Sequence, residues 1–119
     1  MLTPQLARRA LVRLVDDDPT VLRAQSLFLE TAGLRVRCYG DAQGFLENDD
    51  PAVEGCAVLD VRMPGMTGIE LQREMAARGI DLPVIFLSAH GDIEMAVQAV
   101  HDGARTFLVK PPQLGKLLA

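Results

Sequence analysis

The stretch LVDDDPT, residues 14–20, sets three consecutive carboxylates directly after an apolar run. Like charges side by side repel one another, and a charge taken out of water is costly unless something pairs with it. A row of acids at the end of a buried strand therefore indicates either a helix cap or a cation site. Asp18 and Pro19 suit the cap and the first turn of a helix, so the row by itself could be only a capped helix start.

Outward from this stretch, apolar runs alternate with segments of helical periodicity. The predicted strands are ALVRLV (10–15), LRVRCY (34–39), CAVLD (56–60), PVIFLS (83–88) and TFLVK (106–110). The predicted helices are PTVLRAQSLFLETAG (19–33), DAQGFLEN (41–48), TGIELQREMAARG (67–79) and DIEMAVQAVHDG (92–103). This alternation predicts an α/β fold, in which helices cover both faces of a parallel sheet whose strands are buried on both sides.

Two details of these segments bear on packing. In the first predicted helix, Val21, Ala24, Phe28 and Ala32 recur at helical spacing, which predicts the face that packs on the sheet. Arg13 stands inside the first apolar run, where a charge is unusual. We expect its side chain to reach past a neighbouring helix to water.

Composition limits the class of protein. The 119 residues are enough for one domain, and 49% hydrophobic with 24% charged residues is typical of a globular chain. No apolar run is long enough to span a membrane and the N-terminus lacks a signal-peptide core, so we expect a soluble, cytoplasmic protein without a membrane partner. A net charge of −4 argues against direct nucleic-acid binding. Cys38 and Cys56 are expected to be reduced core residues, with no zinc site.

Chemically active side chains stand where the predicted strands end. These residues are Asp16 and Asp17, Asp60, Ser88 and Lys110. Parallel sheets bind ligands at the carboxyl ends of their strands, so we expect these groups to converge in one pocket. Carboxylate oxygens are preferred Mg²⁺ ligands, and a carboxylate can attack phosphorus to give an aspartyl phosphate. Phosphoryl transfer needs in-line positioning and positive charge on the transferred oxygens, which the metal and the lysine would supply.

Five motifs in order along residues 10–119 resemble the receiver domain of two-component response regulators, the CheY-like family. They are LVDDDP, LDVRMPGMTG, PVIFLSAHGD, DGA and FLVKP. The resemblance implies a flavodoxin-like (βα)5 fold, doubly wound, with the five-stranded sheet in the order 2-1-3-4-5. It also implies a receiver domain over residues 10–119, preceded by a lead-in over residues 1–9 that matches no motif.

By position, the resemblance makes Asp60 the phosphoacceptor. Asp16, Asp17, Asp60 and the backbone carbonyl of Arg62 would bind Mg²⁺, with Asp17 the more direct ligand of the acidic pair. The cation would neutralise the adjacent acids, and Asp18 would cap the next helix.

Three further positions carry roles by the same resemblance. Ser88 takes the place of the switch hydroxyl that contacts the attached phosphoryl group. Lys110 takes the place of the family's active-site lysine. Phe107 falls at the aromatic switch position, although a phenylalanine in a strand is as often plain core. Pro64, Gly65 and Gly68 are interpreted as loop residues that let the backbone wrap the site.

The resemblance also implies a function and partners. A sensor histidine kinase would phosphorylate Asp60, and Ser88 and Phe107 would then shift the α4–β5 face, made of the predicted fourth helix (92–103) and the predicted fifth strand (106–110). The domain would be no conventional enzyme, because it catalyses only its own phosphorylation and dephosphorylation. RMPGMTGIEL and SAHGDIEMAV look most like receivers of LuxR-type transcriptional regulators, which implies a C-terminal DNA-binding output domain outside this sequence.

The end of the sequence departs from the family's pattern. Only PPQLGKLLA follows Lys110, and Gly115 is a poor helix former, so we expect the last helix to be truncated. Apolar surface left open on the first and fifth strands would favour association. The expected result is a homodimer through the α4–β5 face or marginal stability.

Two alternative functions fit an α/β fold with acids at its strand ends. A phosphohydrolase with an aspartyl-phosphate intermediate would normally have a second acid two residues after the nucleophile, where this chain has Arg62. It would also need a cap, for which 119 residues leave no room. A flavin- or nucleotide-binding domain would need a phosphate loop with free N–H groups after the first strand, where this chain has three acids.

Overall fold

The computed structural model describes residues 10–88, His101 and residues 106–109. The elements are β1 (Leu11–Val15), α1 (Pro19–Thr31), β2 (Arg35–Tyr39), α2 (Ala42–Asn48), β3 (Gly55–Asp60), α3 (Gly68–Ala77), β4 (Val84–Ser88) and β5 (Thr106–Val109). All neighbouring strands pair in parallel, in the order β2-β1-β3-β4-β5. The predicted α/β fold and sheet order are confirmed.

Some predictions fall on parts of the chain that the structure does not describe. The lead-in over residues 1–9, most of the helix predicted over 92–103 and the truncated final helix lie outside the described residues. His101 is helical and exposed. Among the described residues, no helix has the length and apolar character needed to cross a bilayer.

Short polar side chains start each of the helices α1, α2 and α3. Asp18 caps α1 by accepting a hydrogen bond of 2.9 Å from the Thr20 N–H group, as predicted, and Asp41 caps α2. A capping box starts α3, in which Thr67 and Glu70 exchange hydrogen bonds between side chain and backbone. The hydrogen bonds from Thr67 lower the pKa of the Glu70 carboxyl. These caps satisfy N–H groups that a helix leaves without partners.

Two apolar layers sandwich the sheet. One layer lies between the sheet and helices α2 and α3 and includes Phe45, Leu71 and Phe86. The other lies under α1 and includes Leu14 and Leu29. β1 and β3 are therefore buried on both faces, as their lack of polar alternation predicted, whereas most of the edge strand β2 is exposed.

The face of α1 that meets the sheet differs from the predicted one. Its buried residues are Gln25 and Leu29, and Phe28 is partly buried, whereas Ala24 and Ala32 are exposed. The prediction assigned the inner face from apolar residues alone and so placed a glutamine outside. Because the Leu29 side chain is larger than that of alanine, it covers more of the sheet, and α1 packs with Leu29 and Gln25 on its inner face.

Both cysteines are free, but only one is in the core. Cys56 is partly buried, whereas Cys38 is exposed on β2, so the prediction of two core cysteines is wrong for Cys38. β2 is an edge strand with four of its five residues incompletely buried, which explains this exposure. Burial raises the pKa of the Cys56 thiol, and the charge of Arg13 opposes that rise.

Arg13 is fully buried, with 0% of its surface exposed. Its Nε donates to both carboxylate oxygens of Asp49, at 3.2 and 3.0 Å. Its Nη1 donates to the Leu11 carbonyl at 3.0 Å, and its Nη2 to the carbonyls of Asp50 and Val53 at 2.9 and 2.6 Å. The expectation that Arg13 would reach water is wrong, because the turn after α2 and the Leu11 carbonyl supply its hydrogen-bond acceptors inside the protein.

Tyr39 connects this ion pair to the end of β1. Its hydroxyl donates to Asp49 at 2.8 Å, its ring packs edge-to-face on Phe45 with centroids 5.4 Å apart, and its carbonyl accepts from the Asp16 N–H group at 3.1 Å. Burial, followed by the hydrogen bond to Asp49, raises the pKa of the Tyr39 hydroxyl. One network therefore joins β1, β2 and the turn after α2.

Replacing Arg13 with methionine should destabilise the protein strongly. Arg13→Met leaves the Asp49 carboxylate, only 4% exposed, without its ion-pair partner. Breaking a buried pair in this way costs about 3 kcal/mol of unfolding free energy, measurable by urea denaturation. The control is Arg78→Met, which breaks the exposed Arg78–Glu74 pair and should cost less than about 1 kcal/mol. Equal losses in the two variants would contradict this account of the Arg13 network.

The ionisation of Tyr39 can be measured without a mutation, because the chain has one tyrosine. We expect tyrosinate absorbance to titrate above the ordinary pKa of about 10 in the native protein and near that value in urea. A pKa raised by folding stabilises the protein fully below pH ~10 and loses that contribution as pH rises through the folded pKa. A native midpoint at or below the midpoint in urea would contradict the assigned burial and hydrogen bond.

Candidate functional site

Parallel pairing of β1 with β3 brings two distant acids to one edge of the sheet. Val15 pairs with Leu59, so Asp16 directly after β1 lies beside Asp60, the last residue of β3. Asp16, Asp17 and Asp60 each offer a carboxylate oxygen, and the three oxygens lie within 4.8 Å of one another. The predicted convergence of these three carboxylates is therefore present in the structure.

The three carboxylates differ in burial. Asp16 and Asp60 expose only 2% and 4% of their surface, whereas Asp17 is exposed. Two buried charges and one exposed charge of the same sign at this separation repel one another. The cluster is therefore a place where a cation would lower the electrostatic energy.

Local hydrogen bonds set the direction of the acidic row. The Asp16 N–H group donates to the Tyr39 carbonyl, and the Asp16 Oδ1 atom accepts from the Asp18 N–H group at 3.0 Å. The chain turns at this bond, so that Asp18 caps α1 while Asp16 and Asp17 remain at the cluster. The two interpretations of the acidic row, helix cap and cation site, thus apply to different residues within it.

The donor set suits a hard divalent cation. Mg²⁺ in proteins is usually bound by one or two carboxylates together with water and phosphate oxygens, and the cluster offers carboxylates of this kind. Beside the cluster, an open cleft of about 290 Å³ is lined by Asp17, Arg62, Met63, Pro64 and Thr67. The cleft opens to solvent beside Asp17, the exposed member of the cluster.

The structure describes the remaining predicted site residues only in part. Ser88 ends β4, next to Leu87, the register partner of Asp60. Phe107 lies in β5 as the register partner of Phe86. Lys110 lies outside the described residues. The roles predicted for Ser88, Phe107 and Lys110 stay predictions.

Gly68 was interpreted as a loop residue, but it lies in α3, directly against the Asp60 backbone. It is the first residue of α3, it is buried, and its N–H group donates to the Val61 carbonyl at 2.9 Å. Gly65, by contrast, lies in the loop with a φ of 82°, a left-handed conformation that favours glycine. No pattern of residue types indicates the position of Gly68, because its close contact is with the backbone of Asp60 in β3.

Comparison with known proteins identifies similar chains over almost the whole sequence. The family model for the response regulator receiver domain matches residues 12–119. The response regulator protein TmoT of Ectopseudomonas mendocina is 45% identical over 104 residues, which are 87% of this chain and 47% of TmoT. The transcriptional regulatory protein FixJ of Azorhizobium caulinodans is 44% identical over 100 residues, 84% of this chain and 47% of FixJ.

Solved structures show the same architecture. The response regulator StyR superposes with a TM-score of 0.86 at 44% identity, over 92% of this chain and 56% of that one. The structure titled FixJ-N gives a TM-score of 0.84 at 35% identity, over 92% of this chain and 87% of that one. The chain spans about half the length of the curated relatives it matches.

Neutralising one carboxylate should stabilise the metal-free protein. Asp17→Asn removes one of three like charges, and each such pair costs about 1 kcal/mol at this range in bulk water. We expect a higher unfolding free energy in chelator at low salt, and a smaller gain at high salt. The control is Asp81→Asn, an exposed acid just before β4 at the other end of the sheet. A stability loss in Asp17→Asn would contradict the assigned repulsion.

Proposed function

Because this chain belongs to the family of response regulator receiver domains, we propose that it accepts a phosphoryl group on Asp60 from a sensor histidine kinase in a Mg²⁺-dependent reaction. The observation that carries the proposal is the meeting of Asp16, Asp17 and Asp60 at the carboxyl edge of the sheet. Asp60 is the member of this cluster that ends the central strand β3, between β1 and β4. The cleft beside Asp17 supports access by a phosphorylated side chain.

In this reaction, a carboxylate oxygen of Asp60 attacks the phosphorus atom of a phosphohistidine. The new O–P bond forms as the P–N bond breaks, and the imidazole leaves and takes a proton from solvent. In-line displacement of this kind depends on position and electrostatics more than on covalent assistance. Asp60 suits the role because its burial limits the directions in which its carboxylate can point.

Asp16, Asp17 and Asp60 would hold Mg²⁺ together with the backbone carbonyl of Arg62. When bound, the cation neutralises the charge that develops on the transferred oxygens. The buried Asp16 is held through its backbone and Oδ1 by Tyr39 and Asp18, and therefore offers the cation a fixed ligand. The exposed Asp17 completes the acidic pair from the solvent side.

The switch follows the family's pattern in this proposal. Lys110 would pair with the transferred oxygens, and Ser88 would donate a hydrogen bond to the attached phosphoryl group. Phe107 would then reorient, and the α4–β5 face would change its preference among partners. A ligand shifts such an equilibrium only through its differential interaction with the two states. The new charge on Asp60 supplies that difference.

The wider role is a signalling one, with the receiver domain over residues 10–119 and a lead-in over 1–9. The partners we propose are the kinase, a C-terminal DNA-binding output domain and a second copy through the α4–β5 face. The relatives TmoT and FixJ, a response regulator and a transcriptional regulator by name, support this assignment. The domain would act in the cytoplasm and catalyse only its own phosphorylation and dephosphorylation. Family membership favours this role over the phosphohydrolase and nucleotide-binding alternatives.

Intact mass after incubation with acetyl phosphate tests the proposal. We expect the wild type to gain one phosphoryl group when Mg²⁺ is present and none in chelator. Asp60→Asn should gain none, because an amide cannot form the acyl phosphate. The control Asp81→Asn, far from the cluster, should behave as the wild type does. Phosphorylation of Asp60→Asn at the wild-type rate, or a wild type that gains nothing with Mg²⁺, would contradict the proposal.

A further inference from the structure

Helix α3 begins in direct contact with the backbone of the proposed phosphoacceptor. A Cβ atom on Gly68 would overlap the carbonyl oxygen of Asp60, and it would lie 2.9 Å from the Asp60 carbonyl carbon. It would also lie 3.2 Å from Cε1 of Phe86. Real Cβ atoms essentially never approach other heavy atoms closer than 3.0 Å. Residue 68 therefore cannot carry a side chain unless Asp60 or the start of α3 moves.

The surroundings of Gly68 leave little room for adjustment. Its N–H group donates to the Val61 carbonyl, and the Val61 N–H group donates to the Leu87 carbonyl at 3.0 Å. Val61 directly follows Asp60, so these two bonds join the start of α3 and the strand β4 to the residue after the phosphoacceptor. The Phe86 ring beside Gly68 is fully buried in the core. A side chain at residue 68 would therefore push the start of α3 and the Asp60 backbone apart.

The capping box holds this end of α3 in place. The Glu70 N–H group donates to Thr67 Oγ1 at 3.1 Å, and the Thr67 N–H group donates to Glu70 Oε1 at 3.0 Å. These bonds fix the helix terminus that presses on Asp60. The Asp60 backbone therefore lies against both β4 and the first turn of α3.

We propose that Gly68 is a positioning residue for phosphoryl transfer, because its lack of a side chain lets α3 close on the Asp60 carbonyl and fixes the attacking carboxylate. This inference rests on the proposed function of Asp60. A displacement on the order of an ångström at a reacting group can lower a rate about 100-fold. Gly68 would then affect the rate at which folded protein is phosphorylated, in addition to its stability.

Gly55 provides a matched control in the same strand. A Cβ atom on Gly55 would overlap the Leu11 carbonyl oxygen and lie 2.7 Å from the Leu11 nitrogen. Gly55 starts β3, at the opposite end of the sheet from Asp60, and its φ of 150° already disfavours a side chain. Gly55→Ala therefore strains the backbone as Gly68→Ala does, but at the end of the β1–β3 pair farthest from the acidic cluster.

The experiment compares Gly68→Ala, Gly55→Ala and the wild type. Phosphorylation by acetyl phosphate at saturating Mg²⁺ is followed by intact mass, and each rate constant is divided by the folded fraction from urea denaturation monitored by circular dichroism. Both variants should lose stability. The rate per folded molecule should fall about 10- to 100-fold in Gly68→Ala and stay within about threefold of wild type in Gly55→Ala. A Gly68→Ala rate within that threefold range would overturn the positioning role.

A second pair of variants covers the case in which Gly68→Ala does not fold. Thr67→Ala removes the hydrogen bond that the Glu70 N–H group donates to the Thr67 hydroxyl and so loosens the start of α3. Asp41→Ala removes the corresponding cap of α2. We expect phosphorylation to slow about threefold or more in Thr67→Ala but not in Asp41→Ala, and equal rates would overturn the inference. A wild type that is never phosphorylated would overturn the proposed function and this role with it, whereas a normal wild type with an unaffected Gly68→Ala overturns this role alone.

Discussion

The parallel register between β1 and β3 is the constraint on which the site depends. Pairing of Val15 with Leu59 sets Asp16 beside Asp60, although the two residues are 44 positions apart in the chain. A shift of one residue would turn the side chains of one strand to the opposite face of the sheet. Apolar layers on both faces favour this register, so the packing of the sheet and the meeting of the carboxylates have one cause.

A stabilising ion pair lies in the middle of β1, and a repelling cluster of carboxylates lies at its end. In its middle, Arg13 holds the turn after α2 through a buried ion pair with Asp49 and through backbone carbonyls. Immediately after its end, Asp16 joins a cluster of like charges that repel one another. Tyr39 contacts both regions, through its hydroxyl to Asp49 and its carbonyl to Asp16. The Arg13–Asp49 pair and Tyr39 therefore stabilise the strands that carry the acidic cluster, whereas the cluster itself is repulsive.

The sequence was sufficient to predict the described strands and helices and the meeting of three carboxylates, because these follow from periodicity and from the geometry of parallel sheets. The sheet order was predicted from the resemblance to receiver domains and not from periodicity. It was insufficient for Arg13, whose partner Asp49 is 36 residues away, and for α1, whose inner face includes Gln25. The contact of Gly68 with Asp60 depends on the absence of a side chain, and no pattern of residue types reports it. The roles of Ser88, Phe107 and Lys110 stay predictions, since their side chains lie outside the described part of the structure.

Chemical identification of the modified residue is the most direct test of Asp60 as the phosphoacceptor. After phosphorylation with acetyl phosphate and Mg²⁺, borohydride reduces an aspartyl phosphate to homoserine, and peptide mass spectrometry locates the new residue. We expect homoserine at position 60 and unchanged aspartate at positions 16 and 17. Homoserine at either of those two positions, or modification of a residue outside the cluster, would contradict Asp60 as the phosphoacceptor.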